Sequence, residues 1–110
     1  MATESNSFEI ILKALMDDFG GPEIFSEENH SRLNKALISL EDSLHKDWLL
    51  IANMKHVPQK LYEVIDATEE DKWAVAKICK RTLTSIIFNE ALCEVIVFQL
   101  MTMLENKNLI

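Results

Sequence analysis

Fourteen residues near the C-terminal end, Ala91 to Leu104, carry a single charge, Glu94. They contain no Gly or Pro, and Ala, Leu, Met, Glu and Gln outweigh the β-branched Val95-Ile96-Val97 segment. The run is therefore expected to form one helix. On a helical wheel Ala91, Val95 and Phe98 share one side, and Leu92, Ile96, Leu100 and Met103 continue round to the next. Val97, Met101 and Leu104 cover part of the side carrying Glu90 and Glu94. A helix apolar round most of its circumference must be covered on several sides. This one is too short and too interrupted to span a bilayer. The expected fold is all-α, a single compact bundle of five to six short helices packed around the apolar C-terminal helix. Phe98 is assigned to its buried centre, where truncation to alanine would cost roughly 3–5 kcal/mol.

The rest of the chain is punctuated as helices. Asn6 can cap a first helix with Glu9 in the capping-box position, and Phe8, Ile11, Leu12, Leu15 and Phe19 recur at helical spacing. Gly20-Gly21-Pro22 ends it, a glycine taking the left-handed position and the proline blocking continuation. Ser26 is a good N-cap for a second helix with Glu27 and Glu28 in its first turn and His30, Leu33, Leu37 and Leu40 on its apolar side. Glu41-Asp42-Ser43 can cap a third, Leu44 to about Val57, with Leu44, Trp48, Ile51 and Ala52 inward. Pro58 interrupts it and suits the first turn of a short helix, Gln59 to Ile65. Thr68 with Asp71 resembles a capping box for a helix bearing Trp73, Ala76, Lys77 and Lys80. In 82–89 the cap candidates are Thr84, Ser85 and Asn89. At 110 residues the whole is one domain, with polar fringes at 1–6 and 105–110.

Charge bounds the partners. The formal charge is −7, and an acidic chain without a basic stripe is repelled by nucleic acid and by anionic membranes. Lys77, Lys80 and Arg81 form the one local basic cluster, too small for a nucleic-acid footprint. The start, Met-Ala-Thr-Glu-Ser-Asn-Ser, has no basic region followed by an apolar one, so a cytoplasmic chain is expected. Cys79 and Cys93 sit in apolar settings and are expected to be buried thiols. A disulfide between adjacent helices stays open.

The spacing of Phe8, Leu12, Leu15, Phe19, Gly20, Ile24, Phe25, Arg32, Leu33, Ala36, Leu37 and Glu41 or Asp42 resembles a small all-helical domain. That domain is found alone or attached to other modules in many bacterial proteins of unknown role. The later segment, with Ala76, Ile87 to Asn89, Ala91 and Val95, is similar to its companion half. Gly21 and Pro22 depart from the pattern. The resemblance implies a fold and carries no catalytic residue or cofactor.

Candidate chemistry is sparse. Glu27-x-x-His30 and Asp42-x-x-His45 place an acid and a histidine one turn apart on successive helices, as carboxylate-bridged di-metal bundles do. Glu27 and Asp42 also sit where acids favour helix starts and caps, and that reading is preferred. Glu90 and Glu94 are one turn apart. They are read as a solvent-facing seam near Lys80 or Arg81 rather than a buried acid pair. Trp48, Trp73 and Met101 are candidates for partner binding, although both tryptophans are assigned to inward stripes. His56 is read as a surface residue. No nucleophile motif or phosphate loop occurs.

The expected function is a non-catalytic helical protein–protein interaction module without a cofactor. Its partner is another protein or a second copy of the chain, with neither nucleic acid nor membrane. The alternatives are an acidic inhibitor or immunity-type protein covering a basic enzyme surface and, behind it, a di-metal carboxylate protein.

Overall fold

A computed structural model describes residues 4–40 and 44–105, and every regular element in them is helical. The six α-helices are α1 (Glu4–Asp18), α2 (His30–Ile38), α3 (Leu44–Met54), α4 (Val57–Glu63), α5 (Glu69–Thr84) and α6 (Glu90–Glu105). Two 3-10 turns, Pro22–Phe25 and Glu27–Asn29, link α1 to α2. The Cα radius of gyration is 12.8 Å, which matches the value of about 13 Å for one packed body of this length. The expected caps at Glu41 and Asp42, the metal candidate Asp42, and the fringe 106–110 lie outside the described residues.

The helix ends follow local chemistry. α1 stops where Gly20 (φ 83°) and Gly21 (φ 140°) take left-handed conformations. The Gly21 N–H donates to the Met16 carbonyl at 2.8 Å, the long-reach bond that closes a helix C-terminus. Thr68 Oγ1 accepts from the Asp71 N–H at 3.2 Å, and Asn89 Oδ1 accepts from the Leu92 N–H at 3.1 Å. Asn89 is therefore the cap of α6, and the break before it runs from Ser85 to Asn89. The Lys46 ammonium donates to the Leu40 carbonyl at 2.7 Å, tying the start of α3 to the end of α2.

Several boundaries shift from expectation. α1 begins at Glu4, so Asn6 lies inside it. Ser26 precedes a 3-10 turn rather than α2 itself. α3 ends at Met54, and α4 starts at Val57 with Pro58 in its first turn. Between them His56 is left-handed, φ 59° and ψ 28°.

The C-terminal helix is the hub. α6 packs against α1, α3, α4 and α5, and nine of its residues are buried, among them Leu92, Ile96, Leu100 and Leu104. Around them lie Phe8, Leu12 and Leu15 of α1, Leu49 and Ala52 of α3, Leu61 of α4, and Ala76, Cys79 and Leu83 of α5.

The orientation of α6 corrects the wheel reading in one respect. Phe98 is not at the buried centre; it is 58 % exposed, and Ala91 and Glu94 are exposed beside it. Val97 and Met101, assigned to the acidic side, are buried instead. Glu94 marks the wet side, and Phe98 follows it by four residues, about 40° round the helix. Met101 lies about 20° to the other side of Glu94 and is buried. Trp73 likewise leaves the inward stripe and is 52 % exposed. The inward stripe of α5 is Lys72, Ala76, Cys79 and Leu83. Trp48 is half-buried against the core, while Leu49, Ala52 (as expected) and Asn53 are the residues of α3 that turn fully inward.

Candidate functional site

Two features of the molecule gather side chains in ways that packing alone does not require. The first is a groove between α5 and α6 with a volume of about 590 Å³. Buried Ala76, Val97 and Met101 form its floor, and the exposed rings of Trp73 and Phe98 form its walls. Lys77, Lys80 and Glu94 stand at its rim. The four residues Trp73, Ala76, Lys77 and Lys80, at helical spacing on α5, all line it. Two of the three partner-binding candidates, Trp73 and Met101, thus meet here, and Trp48 does not line it. Phe98 is the member expected inside and found exposed. Its signal was its position one turn after Glu94.

Each end of the α5–α6 pair is fastened by a lysine. Lys80 Nζ lies 2.6 Å from Glu94 and 3.2 Å from Glu90, so these two acids are paired at the surface. At the other end Lys72 Nζ lies 2.7 Å from Glu105 and 3.0 Å from Glu69. Hydrogen bonds to the carboxylates hold both ammonium groups above the usual lysine range, Glu105 contributing most at Lys72 and Glu94 at Lys80. Such fastening ties the two antiparallel helices together at both ends, with the groove between the two ties.

The second feature is a polar cluster where the α3–α4 junction meets the start of α2. His30 Nε2 donates to the Asn53 carbonyl at 2.7 Å, and Asn53 Nδ2 returns a bond of 3.3 Å to the His30 carbonyl. Gln59 Nε2 donates to Asn53 Oδ1 at 2.8 Å. Asn53 and Gln59 have no solvent exposure. The His30 and His56 rings stack with centroids 4.1 Å apart and planes 7° apart. His56 Nδ1 lies 3.0 Å from Glu27 Oε1. The left-handed backbone at His56 swings its ring back over His30, a contact between residues too far apart in the chain to leave a periodic trace.

These distances bear on the metal candidates. Glu27 pairs with His56 rather than with His30, and His45 stands edge-on to Phe8 with ring centroids 5.0 Å apart. Among the described residues no group of three or more His, Cys, Asp or Glu is placed to hold an ion. Neither His30 nor His56 is hydrogen-bonded to a hydroxyl or thiol through the nitrogen that is engaged. The cluster joins three chain segments and gives them one register.

Cys79 and Cys93 are both free and buried, which answers the disulfide alternative. Burial pushes the Cys79 thiol up to about 11, against a small opposing pull from Lys60. Burial also raises Cys93. The consequence for stability has a definite sign. Unfolded thiols lose their protons near pH 9 while the folded Cys79 keeps its own, so the native state binds more protons and stability falls as pH rises. Denaturant titrations are expected to give constant stability from pH 7 to about 8.5 and a loss of about 2 kcal/mol by pH 11. A flat profile across that window would place the Cys79 thiol in water.

The arrangement defines a small helical protein with an aromatic-walled surface groove. Compared with known proteins, the chain matches no family model, no curated protein and no solved structure. No helix among the described residues is long and apolar enough to cross a membrane.

Proposed function

We propose that this chain is a non-catalytic protein–protein interaction module that binds through the α5–α6 groove. The observation that supports this reading is the pairing of Trp73 and Phe98, both more than half exposed, across a floor of buried apolar side chains. Two aromatic rings left more than half exposed forgo the burial their area would gain, and tryptophan is among the residue types enriched at interface hot spots. The apolar surface is local, flanked by charges, and framed by two fastened helices, as a docking site requires.

The test is affinity capture from the source cells with two baits, the native chain and a Trp73→Ala/Phe98→Ala variant, both checked for native helicity. A protein held by the native bait should lose affinity by at least about 30-fold on the variant, which corresponds to roughly 2 kcal/mol for removal of anchors. Identical sets of captured proteins on both baits would overturn the groove as the binding surface.

A further inference from the structure

We infer that the α5–α6 groove, taken as the binding surface proposed above, receives one amphipathic α-helix of another protein, its apolar stripe flanked by carboxylates that meet Lys77 and Arg81. Shape, length and charge each point to this occupant. The groove is an open trough walled by Trp73 and Phe98. A small apolar molecule needs a site that encloses most of its surface, whereas a trough covers one side, as it does for a docked helix. Along α6 it runs from Ala91 to Met101, about 15 Å at 1.5 Å per residue. That length takes three anchors at i, i+4 and i+7, which span about 10.5 Å.

Charge selects the flanks. The chain carries −7 overall, yet the α5 side of the groove carries Lys77 and Lys80, with Arg81 one turn beyond Lys77. Lys80 is committed to Glu90 and Glu94. Lys77 and Arg81 have no carboxylate within ion-pair distance among the described residues, and both are exposed. A helix with acids beside its apolar stripe complements them.

A second copy of the chain fits less well. Its other large exposed apolar residues among those described, Ile10, Phe19, Ile38, Met54, Ile78 and Phe88, fall one to an element or connection. No described helix therefore offers a three-anchor stripe to lay into the trough, and two copies bring like net charges together.

The test titrates two synthetic helical peptides, each about 18 residues long, into the full chain carrying Trp48→Phe, so that emission reports on Trp73. Both peptides carry leucine at i, i+4 and i+7. One is flanked by glutamates and the other by lysines at the same positions. At low salt the glutamate peptide is expected to bind about five- to tenfold more tightly, with the difference fading as salt screens it. Lys77→Glu/Arg81→Glu should reverse the preference, and Phe98→Ala should weaken both peptides.

Equal binding of both peptides, or saturable binding of neither, overturns the acid-flanked helix. So does sedimentation showing a dimer that Phe98→Ala dissociates, which assigns the groove to a second copy. If the peptides bind equally and Phe98→Ala weakens both, the groove stands as a binding surface and only the charge assignment fails. If Phe98→Ala changes neither peptide binding nor the proteins captured from cells, the groove reading itself fails.

Discussion

Replacing Ile96 with alanine is expected to destabilise the protein by about 3–4 kcal/mol, the cost of a buried cavity that α1, α4 and α5 cannot collapse to fill. Ile96 has no solvent exposure and sits on the helix around which four others pack. A domain of this size has roughly 5–15 kcal/mol of total stability, so the loss is a large share of it. Phe98→Ala, two residues on, should cost less than about 1 kcal/mol because its ring already stands half in water. Urea denaturation of the two variants measures both values. If Phe98→Ala proved the more damaging of the pair, α6 would have to be rotated and the groove would lose a wall.

Asn53→Ala is the second large effect, at roughly 2–4 kcal/mol. The buried side chain of Asn53 accepts from Gln59 away from solvent and donates to the half-buried His30 carbonyl. Its loss strands the buried Gln59 amide, whose Oε1 already has no partner among the described residues. Desolvated polar groups without partners cost more than the bond they lose. A paired change, Asn53→Leu with Gln59→Leu, removes donor and acceptor together and should recover at least half of that loss. Failure of the pair to recover any stability would mean that the cluster works through His30 and His56 rather than through the two amides.

The two largest effects differ in how far they could be foreseen. Ile96 belongs to a run whose composition already demands burial on several sides, so its place in the core follows from the residues themselves. Asn53 gives no such sign. It is a polar residue in the last turn of α3, and its partners lie 23 residues back and 6 residues ahead. His56 is the same kind of case. A left-handed histidine between two helices, with a carboxylate partner 29 residues away, reads in sequence as an ordinary surface residue. Of the residues lining the groove, Trp73 and Met101 are candidates by residue type, while Phe98 is not singled out by the sequence.

What the residues determined by themselves was the run of helices and most of their ends. Gly20-Gly21, Pro58, Thr68 and Asn89 act on backbone within four or five residues, through steric limits and cap bonds that need no distant partner. The need to surround α6 was likewise local, a matter of how little of its circumference is polar. Tertiary structure decided which part of that circumference stayed open. Phe98 and Met101 lie on opposite sides of Glu94, and the packing buries the methionine and leaves the phenylalanine exposed. Burial of a helical face is fixed by where the neighbouring helix lies, and no interaction shorter than that distance carries the information.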